Sequence, residues 1–129
     1  MAQLQAEIDV VIIGGGQAAL ATAYFLKRKK IPFVILDDQS QAGGAWLHAW
    51  QSLRLFSPNT WSSLSGWMMP TTEQIYPTRN EVIDYLSAYE QRYQFPIIRP
   101  VHVDHIEQKD GYLDVYAGDQ YWRAKAVVS

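Results

Sequence analysis

The chain has 129 residues, which suits one domain, and we interpret residues 1–129 as a single, partial domain. Its formal net charge is −2, so no excess of positive charge favours nucleic acid or an anionic membrane as a partner. It contains no cysteine, which excludes a redox-active disulfide and a thiolate metal site within these residues. The apolar stretch 10–26 is short, is cut by glycines and follows acidic residues, so it predicts no signal peptide. We expect a cytoplasmic protein.

The first elements along the chain form a strand, a turn, a helix and a second strand. Residues 8–13 are an apolar run without helical period, which predicts a buried strand. Three glycines then end it, and residues 17–29 are rich in alanine, leucine and lysine, which are strong helix formers. Residues 33–36 predict a second buried strand that ends at Asp37. This arrangement is typical of the unit that binds a dinucleotide.

The small residues of the turn have separate mechanical reasons. Gly14 permits a tight turn, and Gly16 lets the backbone approach a pyrophosphate without a Cβ atom in the way. The helix begins at Gln17 and Ala18, where unpaired N–H groups and the positive end of the helix dipole favour a diphosphate. Asp37 is placed to accept hydrogen bonds from both hydroxyls of an adenosine ribose, which argues against NADP at this site. On these residues alone, FAD and NAD both remain open.

The stretch between residues 39 and 69 has no clean period. Gly43 and Gly44, followed by Trp46, indicate backbone that approaches something flat or charged, although a loop turn with Trp46 in the core fits equally well. Arg54 lies between two leucines, a pattern that predicts a short strand. It is a candidate for contact with an anion or a cofactor, and the alternative is an ordinary solvated or ion-paired arginine.

The second half of the chain predicts a helix followed by mostly strand. Residues 78–81 form a capping box, and an apolar face then continues to about Tyr93. A short parallel strand is predicted at 97–99, and an antiparallel meander over 101–108, 112–117 and 120–125. The apolar run 126–129 predicts a parallel strand beside the first, with no helix after it. The histidines lack a carboxylate or nucleophile partner set by spacing, so no catalytic residue and no metal site are predicted.

The predicted fold is therefore α/β: a Rossmann-like domain with a parallel sheet and a three-stranded antiparallel β-meander, apparently truncated. We expect its uncovered last strand to make the chain self-associate, because unpaired backbone groups at a strand edge recruit other chains.

In order along the chain, these motifs resemble the FAD-binding part of the flavin-containing monooxygenases and the related class B flavoprotein monooxygenases. The turn Gly14–Ala19, then Asp37, then Gly43-Gly44-Ala45-Trp46 six residues later match that family's acid followed by G-G-x-W. Residues 52–58 and the helix start near 76–79 are also similar to it. The resemblance implies FAD rather than NAD, and it places Val103 where a main-chain group meets the adenine.

For a complete member, the resemblance implies that NADPH reduces the flavin and that O₂ is then used to oxygenate a small-molecule substrate. The present chain would hold only the ADP part of FAD and would be inactive alone. It departs from the family in having Asp37 where glutamate is more frequent and Lys30 where a helix-ending glycine is frequent. Two alternatives stay open. One is a thioredoxin-reductase-like or other FAD-dependent oxidoreductase, whose Cys-x-x-Cys motif would lie beyond residue 129. The other is a non-catalytic nucleotide-binding module.

Overall fold

The computed structural model of this protein describes residues 2–48, 64, 66–67 and 78–129. Over these residues the chain forms a six-stranded sheet, two α-helices and one short 3-10 helix. The strands are β1 Gln3–Ile13, β2 Phe33–Leu36, β3 Ile97–Ile98, β4 His105–Lys109, β5 Tyr112–Ala117 and β6 Gln120–Val128. The helices are α1 Gln17–Arg28 and α2 Arg79–Tyr93, and the 3-10 helix is Gly44–His48. Neither α-helix of this described part has the length and apolar content that a membrane span requires.

The strand order in the sheet is β3-β2-β1-β6-β5-β4. The first four strands in that order are parallel, and β4 and β5 add an antiparallel edge next to β6. Val11 lies opposite Val34 on one side and Val127 on the other, so β1 is central. The carboxyl ends of β1, β2 and β6 meet at one edge, where ligands bind in open sheets of this kind. The predicted α/β architecture with a parallel sheet and a meander is confirmed.

The strand β6 differs from the prediction. We expected a meander strand over 120–125 and a separate parallel strand over 126–129, but a single strand runs from Gln120 to Val128. No glycine or proline interrupts that segment, so it serves the meander through β5 and the parallel sheet through β1. Because β6 is this long, it also pairs with the exposed start of β1, which begins at Gln3 rather than at residue 8. The first meander strand is shorter than predicted, because β4 begins only at His105.

The core lies on both faces of the sheet. On one face, α1 and α2 pack over alternate residues of β1 and β2 through a cluster that includes Ile12, Leu20, Ile35, Leu86 and Tyr89. The opposite face is built from Val11, Val34, Leu36, Val115, Trp122 and Ala124. Burial on both faces explains why the parallel strands are continuous apolar runs rather than alternating ones.

The helix α2 begins where the capping box predicts. The Thr78 hydroxyl oxygen accepts from the Glu81 N–H at 3.2 Å, as expected. The Glu81 carboxylate, however, accepts from the Thr78 hydroxyl at 3.1 Å rather than from a backbone donor. The capping box is therefore present, but its second bond joins two side chains. It fixes the start of α2, which packs against the 3-10 helix.

Candidate cofactor-binding site

The glycine turn follows β1 at the carboxyl edge of the sheet. Gly14 has a φ of +100°, a value that L side chains rarely adopt, so the turn requires glycine there. Its N–H donates to the Leu36 carbonyl at 2.8 Å, which ties the turn to the end of β2. The predicted mechanical role of Gly14 in a tight turn is therefore present.

Gly16 is different, because nothing among the described residues requires a glycine at that position. Its φ of −83° is open to any residue. A Cβ atom built on it would have the Gly44 Cα, at 4.0 Å, as its nearest neighbour, which is an ordinary contact distance. The free space in front of this backbone is what an approaching phosphate needs.

The first turn of α1 is prepared for an anion. Gly16 is its N-cap and contributes no side-chain hydrogen bond, and no acidic residue lies in the first turn. The first helical bond is from the Leu20 N–H to the Gly16 carbonyl at 3.0 Å, so the N–H groups of Gln17 and Ala18 precede the helical ladder. Those donors and the positive end of the dipole face the same free space.

Gly43 and Gly44 pack against the glycine turn and against α2. A Cβ atom on Gly44, whose φ is +52°, would lie 2.7 Å from the Gly16 Cα. A Cβ atom on Gly43 would lie 3.2 Å from Ile83 Cγ1 on α2. The sequence predicted that this backbone approaches something flat or charged, and its close neighbour in the structure is the glycine turn itself. The backbone of Trp46 lies in the 3-10 helix, but its side chain and all of Arg54 lie outside the described residues, so their contacts stay predictions.

Two cavities lie on either side of the turn. The larger, of about 320 Å³, is lined by the end of β1, the glycine turn, the start of α1 and residues 128–129. The smaller, of about 170 Å³, is lined by Ile13, Gly14, Leu36, Asp38, Val101, His102 and Val103. Because Ile13 and Gly14 border both, a molecule that crosses the turn would reach both cavities. Val103 lies in the smaller cavity, on the β2 side, where the resemblance would put the adenine.

Asp37 lies beneath the turn rather than in a cavity. Its residue exposure is 1%, and its Oδ2 accepts from Arg99 Nε and lies 2.9 Å from Arg99 Nη2. Among the described residues, its Oδ1 accepts one long bond, 3.3 Å, from the Gln39 N–H. The more exposed acid is its neighbour Asp38, which borders the smaller cavity 3.7 Å from His102 Nδ1. The role of Asp37 toward a ribose stays a prediction, with Oδ1 as the oxygen available for it.

Arg99 was missed at the level of sequence. It follows β3, as Asp37 follows the neighbouring parallel strand β2, and side chains that follow adjacent parallel strands meet at one edge of the sheet. That rule, applied to a lone arginine between a short apolar strand and a proline, would have paired it with Asp37.

The histidines contact different partners. His48 Nε2 lies 2.9 Å from Gln39 Oε1, and His105 stacks on Tyr116 with ring centroids 4.6 Å apart. Within the described ranges, no cluster of three or more histidine, aspartate or glutamate side chains could hold a metal ion.

Residues 11–129 match the family model described as pyridine nucleotide-disulphide oxidoreductase. The chain belongs to that family. Among solved structures, a flavin-containing monooxygenase from Stenotrophomonas maltophilia is 48% identical, with a TM-score of 0.92 over 95% of this chain. An uncharacterized CzcO-like oxidoreductase from Geobacillus kaustophilus is 34% identical over 125 residues, or 97% of this chain. A cyclohexanone-bound cyclohexanone monooxygenase, at 19% identity and a TM-score of 0.86, shares the fold.

Both relatives are much longer than the chain. The chain spans 38% of the Stenotrophomonas structure and 36% of the Geobacillus protein. The resemblance to a flavoprotein oxidoreductase segment, predicted from the glycine turn, the acid and the G-G-x-W motif, is confirmed.

Proposed function

We propose that this chain binds the ADP part of FAD and is the FAD-binding segment of an NADPH-dependent flavoprotein monooxygenase. The observation that carries the proposal is Gly16, where neither backbone conformation nor packing within the described residues requires a glycine. Together with an α1 start that has neither a capping side chain nor an acid, this leaves room and charge for a diphosphate. The 48% identity to a flavin-containing monooxygenase supports a flavin cofactor and the monooxygenase class.

Each part of the nucleotide has a place in this arrangement. The N–H groups of Gln17 and Ala18 donate to the diphosphate, and Gly14 and Gly16 keep the backbone close to it. Asp37 Oδ1 accepts from the ribose, and the main chain at Val103 meets the adenine in the smaller cavity. Gly44 packs against the glycine turn, and Trp46 and Arg54 stay candidates for cofactor contact on the sequence resemblance, because the Trp46 side chain and Arg54 lie outside the described residues. The bound FAD supplies the redox chemistry, and the protein binds and orients it.

The rest of the reaction belongs to the whole protein. We infer that NADPH supplies the electrons, that the substrate is a small molecule and that the protein works in the cytoplasm. We infer that residues 1–129 form one partial domain that is inactive by itself, because it would hold only the ADP part of FAD. A thioredoxin-reductase-like reaction is the alternative, and its Cys-x-x-Cys motif would have to lie outside these 129 residues, which contain no cysteine.

Self-association is a further part of the proposal. Residues 126–128 of β6 pair with β1, whereas β5 reaches only to Ala124, so the other edge of those residues has no strand partner in the described part of the chain. An edge of this kind recruits a second chain. Light scattering tests it, and a strictly monomeric species at high concentration contradicts it.

The decisive experiment substitutes Gly16→Val in the protein that carries this chain. A branched side chain there occupies the phosphate path and leaves both buried strands unchanged, so we expect FAD affinity to fall by more than tenfold, about 1.4 kcal/mol. The control is Gly118→Ala, at a remote meander turn, where the added Cβ meets nothing within 4 Å but the φ of +60° strains the backbone, so it is expected to lower stability and to leave FAD affinity unchanged. Flavin fluorescence titration measures both, and far-ultraviolet circular dichroism checks the fold. Binding by the Gly16→Val variant within tenfold of the parent contradicts the proposal, as does a parent that NAD stabilises and FAD does not.

A further inference from the structure

A buried ion cluster joins three elements beneath the glycine turn. Arg99 donates from Nη1 and Nη2 to the two carboxylate oxygens of Glu90 on α2, each at 2.8 Å. The same guanidinium donates from Nε to Asp37 Oδ2 at 2.9 Å. The side chains of Asp37 and Glu90 are 2% and 9% exposed. Both carboxylates therefore depend on Arg99, rather than on water, for charge compensation.

The glycine turn rests directly on this cluster. A Cβ atom on Gly15 would lie 2.6 Å from Asp37 Oδ2 and 2.9 Å from Arg99 Nη2. Gly15 has no left-handed φ, so its glycine is needed for space, and the atoms that occupy the space belong to the ion pair. The height of the turn above the sheet is thus set by where Arg99 holds Asp37.

We propose that Arg99 is a positioning residue of the nucleotide site, which fixes Asp37 and through it the glycine turn that meets the diphosphate of FAD. This inference rests on the function proposed above. Arg99 does not touch the nucleotide in this assignment. The glycine turn and the start of α1 meet the diphosphate, and Asp37 and Val103 meet the adenosine. The planar fork matters, because it bonds two carboxylates at once, which a lysine ammonium does not do with the same geometry.

The charge of the cluster supports the same assignment. Two carboxylates and one guanidinium sum to a formal charge of −1, and they lie directly below a turn built to accept an anion. Without Arg99, two negative charges would face the diphosphate across Gly15. The hydrogen bonds to Glu90 raise the pKa of Arg99 above its ordinary value, so its positive charge persists at any working pH. Loss of Arg99 therefore removes both the support and the compensating charge.

A second arginine–aspartate pair provides the matched control. Arg123 donates from Nε to Asp114 Oδ1 at 2.8 Å and from Nη2 to Oδ2 at 3.2 Å, and Asp114 is also 1% exposed. This pair lies on the meander and borders neither cavity at the turn. If the role of Arg99 were only structural, substitutions of Arg99 and Arg123 would change FAD affinity by similar factors in variants that are equally folded.

The test measures FAD affinity in Arg99→Met, Asp37→Asn and the double variant, with Arg123→Met as control, all under conditions where circular dichroism shows a folded protein. We expect Arg99→Met to weaken FAD at least tenfold and Arg123→Met to change it less than threefold. The affinity for ADP, measured by competition, should fall by the same factor as the affinity for FAD, because the turn meets only the diphosphate. Because Arg99 acts through Asp37, the double variant should lose no more than about threefold beyond Asp37→Asn alone.

Each other outcome overturns the inference. The inference is wrong if Arg99→Met binds FAD within threefold of the parent. It is also wrong if Arg99→Met and Arg123→Met lose FAD affinity equally, or if the losses of Arg99→Met and Asp37→Asn add up in the double variant. If Arg99→Met does not fold, Arg99→Lys takes its place in the same cycle, with an expected loss of at least threefold. Parental binding by that lysine variant then overturns the assignment. A parent that binds no FAD refutes the proposed function instead, so the two failures are distinguishable.

Discussion

Two buried aspartates, each paired with an arginine, have different roles in two regions of the molecule. Asp37 and Asp114 are each 1% exposed, and each is held by one arginine. Asp114 lies directly opposite Arg123 in the register of β5 and β6, so its pair is local to one hairpin. Asp37 and Arg99 are 62 residues apart in sequence and meet because β2 and β3 are neighbours.

The difference lies in what each pair supports. Arg123 is partly exposed, with its guanidinium 5.9 Å from the ring centroid of Tyr121, and its remaining ionic contact is a loose 3.8 Å approach to Glu7. Arg99 instead bonds a second buried carboxylate and lies under the glycine turn. The first pair stabilises a hairpin, whereas the second connects the helix α2 to the site. Substitutions should therefore separate them by both stability and FAD affinity.

The largest expected effect on stability comes from Gly15→Ala. Its added methyl group would overlap Asp37 Oδ2 and Arg99 Nη2, and the cluster has little freedom to move because Glu90 holds its other side. Overpacking of a buried site costs about 1–3 kcal/mol, and we expect about 3 kcal/mol here because an ion pair is displaced as well. Urea unfolding measures it.

The neighbouring substitution Gly16→Ala is the control for that effect. Its added Cβ would meet nothing closer than 4.0 Å, so the free energy of unfolding should change by less than about 0.5 kcal/mol. Equal stability of the two alanine variants would show that the turn does not rest on the cluster.

A smaller effect is expected from Asp114→Asn, and it depends on pH. The hydrogen bonds from Arg123 hold the pKa of Asp114 below its ordinary value, so the carboxylate stabilises the fold above the unfolded pKa of about 3.9 and loses that contribution as pH falls further. We expect the free energy of unfolding of the variant to be lower by about 1–2 kcal/mol at pH 7. Its deficit against the parent should shrink below about pH 4, as measured by urea midpoints. A deficit that stays constant down to pH 2 contradicts this account.

Local patterns predicted most of the fold, and the cofactor contacts inferred from them stay predictions. The strand–turn–helix–strand unit, the start of α2 and the hairpin that pairs Asp114 with Arg123 follow from neighbouring residues, since periodicity, capping and turn signals act over a few positions. The conformational reason for Gly14 also followed from sequence. What they share is that no distant part of the chain is needed to define them.

The remainder depends on which strands become neighbours. Arg99 reaches Asp37 only because β3 lies beside β2, and Gly44 meets Gly16 only through the loop between β2 and α2. The continuous strand β6 was wrongly divided because its second half was assigned to the parallel sheet alone, whereas one strand serves both parts. Pairing across the sheet is decided by topology, which no short motif contains.

The smallest expected effect comes from Lys30→Gly, at the end of α1 and away from both aspartates. Lys30 has a φ of +60°, and the N–H groups of Lys30 and Ile31 bond back to the carbonyls of Lys27 and Leu26, the closing pattern that usually places a glycine at this position. Glycine relieves the left-handed strain but loses more freedom on folding, so a net gain of about 0.5–1 kcal/mol is expected. FAD affinity should stay within twofold of the parent, because the substitution lies at the far end of the helix from the glycine turn. A loss of stability measured in urea would show that the Lys30 side chain contributes more than its backbone strain costs. A changed FAD affinity would instead mean that the end of α1 is coupled to its start, and the distinction between the cluster under the turn and the rest of the fold would then need revision.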